Sequence, residues 1–285
     1  MGRAEHRVPG GPLSVRWLRY ELESAKAGAL TSARIELENA GSVTWHSHGP
    51  NWIYASYHWL DDRGNPIVWD GLRTPFDVPV PPGGRASLAV QIRAPMPPGR
   101  YGLALDLIDE ERLWFSELGN PTAELDVDVG PRIARRALEA EILPGPPELV
   151  ALTNEALDGQ EEALVQAEGE ALAHLAAGVQ PAPDWSRRVL DAHAEGYAAV
   201  GGSIEPLGGP LERRRAAATL EPWSPGGGRN PAFGAPLLCP SVLRGVETVW
   251  LADVLGLPAL APPAGEPWLY DGRITVRLPS GRRRG

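Results

Sequence analysis

The sequence contains a single cysteine, Cys239, and its positive charge is almost all arginine, with Lys26 an exception. One cysteine cannot form an intrachain disulfide, so nothing in the sequence demands an oxidising compartment. The sequence also lacks an apolar stretch behind the charged N-terminal residues, and it has no run of about 18 apolar residues, the length that spans a membrane. These absences predict a cytoplasmic protein without a membrane span.

A basic surface is lacking as well. The formal net charge is −9 and the pI is near 5.2. Because attraction to phosphates needs positive charge, this composition argues against a general nucleic-acid-binding protein. The 43% of hydrophobic and 22% of charged residues are ordinary for a folded chain, and the 33 glycines and 30 prolines predict many turns and linkers.

Residues 57–71 form the most informative stretch and predict a β-hairpin. Aromatic and β-branched residues alternate on either side of a turn-forming cluster at 61–65, in which Gly64 can take a positive φ. Four residues of the first arm share one apolar face: Ile53, Ala55, Tyr57 and Trp59. We expect this face to lie against the core, since an indole buries a large area.

About eight short strands with turn signals between them are predicted from residue 13 to residue 130, which is typical of an antiparallel β-sandwich. Two residues indicate an immunoglobulin-like topology. Trp59 stands where such a sandwich keeps its core indole, and Tyr101, after Pro98 and Gly99, stands where a tyrosine corner begins. Leu103 replaces the cysteine of antibody domains, so the core must hold by packing alone.

Four stretches of this half carry a family resemblance: residues 38–45, 56–61, 68–74 and 98–101. Together they resemble a bacterial immunoglobulin-like module found beside glycosyltransferase and other sugar-handling domains. The resemblance covers residues 14–129. It implies a fold and a sugar-related context, and it names no ligand.

The remaining boundaries follow from composition. Residues 1–12 are polar and rich in Gly and Pro and are expected to be poorly ordered. A short helix at 134–142 followed by Leu-Pro-Gly-Pro-Pro predicts a linker over 131–147. Residues 148–280 predict an α/β domain. Residues 281–285 form a basic tail, which is most simply a solvated, frayed end; the alternative is a contact with an anion or a membrane surface. The elements predicted in the second half are helices at 149–157, 161–175, 185–195 and 211–220, a strand at 197–204 and a hairpin ending at 273–278.

Three parts of the second half carry another resemblance: residues 163–175 with 181–185, residues 199–205, and residues 227–233. They resemble a family 2 glycosyltransferase of the GT-A kind, a Rossmann-like domain that uses a nucleotide sugar. The opening nucleotide-binding strand of that family has no counterpart here. The resemblance therefore implies an incomplete, truncated domain.

The site residues of that family are also replaced. Where the family has the aspartates that hold a divalent cation and the nucleotide diphosphate, this chain has Ala176, Ala177 and Gly178. Small neutral residues cannot neutralise a leaving diphosphate. This departure implies a pseudo-glycosyltransferase with no catalytic residues, metal or cofactor. Glu247, Asp253 and Asp184 are the carboxylates that could act as a replacement base beside a phosphate-binding Arg229.

Three further features have a plain structural interpretation. His46 and His48 share a face if extended, and His58 could be a third metal ligand, but no carboxylate or cysteine has a matching spacing, so we favour ordinary loop histidines. Residues 226–228 could cradle a phosphate, although a glycine run alone favours a loop. Cys239 has apolar neighbours, which favours a buried thiol over a nucleophile.

Six of the ten tryptophans fall in the first domain. We expect Trp17 and Trp59 in the core, and Trp45, Trp52 and Trp69 as a platform for a pyranose ring, since an indole face offers area at low entropy cost. The residues predicted to bind a ligand are Trp45, Trp52, Trp69, His48, Arg229 and Asn230.

The leading functional hypothesis is a non-catalytic accessory or scaffolding protein of a surface-glycan or glycosylation pathway. It would bind a glycan or a partner glycosyltransferase through the sandwich. The alternative is a residual or metal-independent glycosyltransferase that uses a nucleotide sugar. In a third possibility, the second half is a decayed remnant and only the sandwich is functional.

Overall fold

The computed structural model describes residues 10–48, 52–230 and 234–278. The chain forms two compact units, residues 1–130 and 131–285, and most of its regular structure is β. No helix in the described ranges is long and apolar enough to cross a membrane. Most of the N-terminal stretch 1–12 and the basic tail 281–285 lie outside the described residues.

Within the described residues, the first unit consists of strands and one short 3-10 helix. They are β1 (Val15–Leu22), β2 (Ala25–Lys26), β3 (Leu30–Asn39), β4 (Ile53–Leu60), β5 (Pro66–Val68), β6 (Thr74–Pro75), β7 (Arg85–Arg93), β8 (Gly99–Asp109), β9 (Leu113–Trp114), the 3-10 helix Phe115–Leu118 and β10 (Ala123–Gly130).

These strands form two sheets that face each other across one core. β1, β3 and β7 make an antiparallel sheet. The other sheet has the order β2-β10-β8-β4-β5, with β6 paired to β4 and β9 paired to β8. β2 runs parallel to β10, and the other pairs of this sheet are antiparallel. This arrangement confirms the predicted immunoglobulin-like β-sandwich.

The core of the sandwich is organised around Trp59. Its indole is fully buried, lies opposite Leu103 in the pairing of β4 with β8, and donates a hydrogen bond to the carbonyl of Arg93 at 2.9 Å. Leu103 therefore packs where antibody domains place a cysteine. The hydroxyl of Tyr101 donates to the carbonyl of Pro97 at 2.6 Å, which forms the predicted tyrosine corner.

The predicted hairpin is formed by β4 and β5. The Asp61 amide donates to the Asn65 carbonyl at 2.8 Å, and the Asp61 carboxylate accepts from the amides of Arg63 and Asn65 at 2.9 and 2.7 Å. Gly64 has a φ of 79°, as the turn requires. The second arm is shorter than predicted, because β5 has only 3 residues and Trp69 lies beyond it.

The second unit combines three helices, one 3-10 turn and short strands in the described ranges. They are β11 (Leu138–Ile142), α1 (Pro147–Asp158), β12 (Ala171–Leu175), β13 (Gln180–Pro181), α2 (Trp185–Glu195), β14 (Ala199–Pro206), α3 (Pro210–Leu220), the 3-10 helix Glu221–Trp223, β15 (Leu237–Leu238), β16 (Ser241–Leu243), β17 (Val249–Val254), β18 (Leu257–Ala261) and β19 (Trp268–Leu278).

Two sheets organise this unit. A mixed sheet has the order β11-β12-β16-β14-β19-β13, in which β11 pairs parallel with β12 and β14 pairs parallel with β19. A smaller antiparallel sheet has the order β15-β18-β17. The mixed sheet and the apolar residues around it form a core separate from that of the sandwich.

The structure corrects three sequence expectations in this unit. Residues 138–142, expected within a helix and a linker, form β11, because their alternating pattern pairs with β12. Of the helix expected at 161–175, only residues 171–175 are regular, and they form β12. The hairpin expected to end at 273–278 is one long strand, β19. The interpretation as a glycosyltransferase-like α/β domain stays a prediction.

A buried polar pair lies in this core. The hydroxyl of Ser241 donates to Nε2 of His193 at 2.9 Å, and Nδ1 of His193 donates to the Tyr197 carbonyl at 2.8 Å. Burial disfavours the charged imidazolium and lowers the pKa of His193 to about 4. The imidazole is therefore neutral in the folded protein at physiological pH.

Candidate functional site

The candidate site lies on the outer face of β4, opposite the face that carries Trp59. Trp69, beyond β5, folds back and stacks on the imidazole of His58, with ring centroids 4.1 Å apart and planes 21° from parallel. The ring centroid of Trp114 lies 4.3 Å from that of the same imidazole and 6.1 Å from that of Trp69, which it meets edge-on. We call these three residues the aromatic cluster.

His58 fixes the cluster to the sheet. Its Nδ1 is hydrogen-bonded to the Trp69 carbonyl, and its Nε2 lies 3.5 Å from Oδ2 of Asp106. His58 and Asp106 are only 3% and 1% exposed. Both ring nitrogens of His58 therefore face oxygen atoms, and these two contacts fix the orientation of the ring. Because the same carboxylate accepts from the Ser116 amide at 3.3 Å, it also holds the 3-10 helix after β9.

Arg73 lies beside the cluster and is held by two carboxylates. Its guanidinium bonds Glu110 through Nε at 2.6 Å and Asp70 through Nη2 at 2.6 Å, and it lies 5.0 Å from the ring centre of Trp114. Burial alone would lower the pKa of Arg73, but the hydrogen bonds to Glu110 and Asp70 outweigh it and raise that pKa. Arg73 is therefore a fixed cation.

Nη1 of Arg73 fixes the loop as well. It donates to the Gly71 carbonyl at 2.7 Å and to the hydroxyl of Ser56 on β4 at 3.2 Å. Gly71 in turn packs so closely on β4 that a Cβ there would lie 2.5 Å from the carbonyl oxygen of Tyr57. The loop that presents Trp69 is therefore anchored to the sheet at several points.

These side chains surround a groove of about 380 Å³. Trp69 is 48% exposed at its edge, whereas Trp114 is 6% exposed and lies deeper. Four of the residues that line the groove are apolar, and the other lining residues are charged. The apolar ones are Trp69, Ile108, Leu113 and Trp114. A half-exposed indole beside fixed polar groups can stack on a flat apolar ligand surface while the rim bonds polar substituents.

The other residues predicted on the sandwich lie elsewhere. Trp45, expected on the binding platform, is instead fully buried between Phe76 and Phe115, because its loop turns into the core. Trp52 is 48% exposed but does not line the groove. His48 is exposed next to residues outside the described ranges. Within those ranges, no group of three His, Cys, Asp or Glu is placed to hold a metal ion.

Arg229 and Asn230 lie together in the second unit. Arg229 pairs with Glu195 at 2.7 Å and with Asp271 at 3.6 Å, and the hydrogen bond to Glu195 raises the pKa of its guanidinium. Asn230 has a φ of 55°, and its amide donates to the Tyr270 carbonyl at 2.8 Å. These contacts fasten the 226–230 loop to β19. The rest of the glycine-rich stretch, 231–233, lies outside the described residues.

The carboxylates proposed as a replacement base are placed differently. Asp184 precedes α2 and pairs with Arg188 at 2.5 Å and with Arg187 at 3.7 Å. Glu247 and Asp253 are exposed, one before β17 and one on it. The carboxylates that contact Arg229 are Glu195 and Asp271 instead.

Residues 176–178 lie under α1. Ala176 and Ala177 are buried, and the amide of Gly178 donates to the carbonyl of Leu149 at 3.0 Å and to the hydroxyl of Thr153 at 2.9 Å. A Cβ on Gly145 would lie 2.5 Å from that of Ala177. Among the described residues, the three small residues are therefore packed closely against α1 and Gly145.

One of the predicted binding residues, Trp69, lines the groove, and its role in binding stays a prediction. Arg73 and Glu110 were not among the predicted binding residues, and His58 was considered only as a metal ligand. The stretch 68–74, which contains Trp69 and Arg73, supported the family resemblance and was the available signal. Glu110 is distant in sequence and reaches Arg73 only through the pairing of β4 with β8.

No protein-family model and no curated protein matches the chain. Among solved structures, it is similar to a CARDB domain from Pyrococcus furiosus, with 15% identity over 45% of this chain and 99% of that domain, at a TM-score of 0.28. The C-terminal domain of Wzt shares 8% identity over 45% of this chain and 79% of that domain, also at 0.28.

A β-glucosidase from Listeria innocua shares 11% identity over 41% of this chain and 16% of the enzyme, at a TM-score of 0.27. These likenesses each cover less than half of this chain. At TM-scores this low they carry no argument about the fold or the function of this chain.

Proposed function

We propose that this protein is a non-catalytic accessory protein of a surface-glycan or glycosylation pathway, and that it binds a glycan through the groove at the aromatic cluster. The observation that carries the proposal is the exposed indole of Trp69, stacked at 4.1 Å on a buried His58 and bordered by the Arg73–Glu110 pair. An exposed tryptophan in a surface loop is usually free to reorient. This one is held in place before any ligand arrives.

The chemistry of the groove matches that of a sugar ring. One face of a pyranose is lined by C–H groups and stacks on an indole, while its hydroxyl groups bond carboxylates and guanidinium groups. In this groove, the guanidinium of Arg73 lies 5.0 Å from the ring centre of Trp114 and is bonded to Glu110, so indole and polar groups line the same space. Because Trp69 and Arg73 are held by contacts to β4 and Glu110, binding loses less side-chain entropy than it would at a flexible site.

The packing of residues 176–178 supports the non-catalytic part of the proposal. A nucleotide diphosphate needs open space and cationic or metal-bound neutralisation. Ala176 and Ala177 are buried, and α1 covers Gly178. Arg229, proposed to clamp a phosphate, is paired with Glu195 and Asp271. None of the described contacts favours a residual glycosyltransferase.

A saccharide array followed by calorimetric titration of the full chain tests glycan binding. We expect saturable binding to at least one oligosaccharide, a loss of at least tenfold in affinity for Trp69→Ala, and partial recovery for Trp69→Tyr, which keeps an aromatic face. Trp250→Ala is the matched control, because Trp250 is 43% exposed on the other unit. Absence of saccharide binding, or equal affinity for Trp69→Ala and the wild type, would overturn the proposal.

Titration with nucleotide diphosphates and nucleotide sugars, with and without Mn²⁺, tests the non-catalytic part separately. We expect no metal-dependent binding. Micromolar binding that requires Mn²⁺ would show that the second unit keeps a donor site, and would replace the non-catalytic proposal with the residual glycosyltransferase.

A further inference from the structure

The charges around the groove are unequal. Its lining contains the carboxylates of Asp70, Glu110, Glu111 and Glu117 but only the guanidinium groups of Arg73 and Arg112, a formal balance of two minus four, or −2. The groove therefore repels anions, and the effect is largest where its low-dielectric aromatic walls displace water.

Both cations of the groove already have anionic partners. Arg73 is bound by Glu110 and Asp70, each at 2.6 Å. Arg112 pairs with Asp109 at 3.2 Å, and this carboxylate lies just outside the groove lining. An acidic ligand would have to compete with two carboxylates for the guanidinium of Arg73, whereas the exposed guanidinium of Arg112 is bonded to one carboxylate.

One carboxylate, by contrast, is open to a ligand. Glu111 is exposed at the rim with a φ of 62°, and no ion pair is described for it. Glu117 uses Oε2 to accept the Trp114 amide at 2.9 Å, so its position is fixed beside the indole. The groove thus combines an aromatic floor with carboxylates that are able to accept bonds from a cation or from hydroxyl groups.

From this charge distribution we infer that the groove discriminates among pyranoses by charge: it binds sugars that carry free amino groups best, neutral sugars next, and sugars that carry carboxylate or phosphate groups least. This inference rests on the proposed glycan binding and adds the class of sugar. Each unit of ligand charge close to the groove changes affinity by roughly threefold at moderate salt.

Calorimetric titration of the full chain with three matched oligosaccharide sets tests the inference: β-1,4-linked glucosamine, N-acetylglucosamine and glucuronic acid oligomers of equal length, all of the gluco configuration. We expect affinity to fall in that order, with roughly a threefold step or more at each change of charge. Raising the salt concentration should weaken binding of the amino sugar and leave the neutral sugar unchanged.

Glu111→Gln isolates the contribution of the open carboxylate. We expect it to weaken binding of the glucosamine oligomers roughly threefold more than it weakens binding of the N-acetylglucosamine oligomers. Asp62→Asn is the matched control, since Asp62 is an exposed carboxylate of the sandwich outside the groove. If uronic acid oligomers bind as tightly as neutral ones, the inference is wrong although glycan binding stands. If no oligosaccharide binds at all, the proposed function itself fails.

Discussion

At the scale of single residues, the indole N–H groups of the sandwich differ in their partners. Trp59 donates to the Arg93 carbonyl, and Trp17, which is only partly buried, donates to the Pro121 carbonyl at 2.8 Å. The N–H of Trp45 is buried without a hydrogen-bond partner among the described residues. A buried polar group without a partner costs about 1–3 kcal/mol, so Trp45 contributes less to stability than its buried area indicates.

Replacing each buried tryptophan by phenylalanine tests this difference. Trp45→Phe and Trp59→Phe remove the same atoms from fully buried positions, but only the second removes a hydrogen bond. We expect Trp45→Phe to lower the free energy of unfolding by about 1 kcal/mol less than Trp59→Phe does. Urea denaturation of both variants measures the difference, and an equal or larger loss for Trp45→Phe would contradict it.

His193 gives the second unit a dependence on pH. Burial lowers the pKa of His193 from 6.5 to about 4 in the folded protein. Between these two pH values, the imidazole is protonated in the unfolded chain and neutral in the folded chain. The free energy of unfolding should therefore fall as the pH drops from about 6.5 to about 4. This one residue would account for a loss of about 3 kcal/mol, because each pKa unit corresponds to about 1.4 kcal/mol.

Denaturation at pH 7 and at pH 4.5 measures this dependence. His193→Gln is the comparison variant, because its amide oxygen can accept the Ser241 hydroxyl without titrating. It should be less stable than the wild type at pH 7 and should lose less stability on acidification. An identical pH dependence for both proteins would rule out His193 as its source.

At the scale of elements, the local sequence pattern was sufficient to predict strands with one buried and one solvent-exposed face, and helices with a regular apolar spacing. β3 and β7 alternate cleanly and were predicted, as were α1 and α2, whose apolar residues recur at helical spacing. β11 was missed because a short alternating segment has little preference of its own, and its pairing with β12 decides its conformation. The tertiary partner of a segment is not visible in the segment itself.

The contact of α1 with Gly178 can be tested in the same way. Gly178 has a φ of 92°, and a Cβ there would lie 3.3 Å from the Leu149 side chain. Gly245 has a similar φ of 82° but open space around it. Both Gly178→Ala and Gly245→Ala impose backbone strain of about 1 kcal/mol, and only the first also pushes against α1.

We therefore expect Gly178→Ala to destabilise the second unit by about 1 kcal/mol more than Gly245→Ala. Thermal and urea unfolding of the two variants give the comparison. Equal losses would show that α1 moves easily to accommodate a side chain at residue 178. The close packing that supports the non-catalytic part of the proposed function would then be lost as an argument.

At the scale of the whole molecule, the groove brings together residues whose proximity cannot be predicted from local sequence patterns. Its lining residues come from two segments, 69–73 and 108–117. In the sequence, β6, β7 and most of β8 lie between these segments. The two segments meet because β4 pairs with β8 and because His58 draws Trp69 back over the sheet. An excess of tryptophan could be recognised in advance, but which indole is exposed depends on loop paths that no local periodicity encodes.

The two units have separate hydrophobic cores, so a lesion in one should leave the other intact. Val200→Ala, in the buried strand β14, should destabilise the second unit by about 1–3 kcal/mol. Hydrogen exchange followed by mass spectrometry should then show faster exchange in peptides from 138–278 and no change in peptides from 15–130. Leu105→Ala, fully buried in β8, should show the reverse. Faster exchange in both units with either variant would mean that the two cores unfold as one.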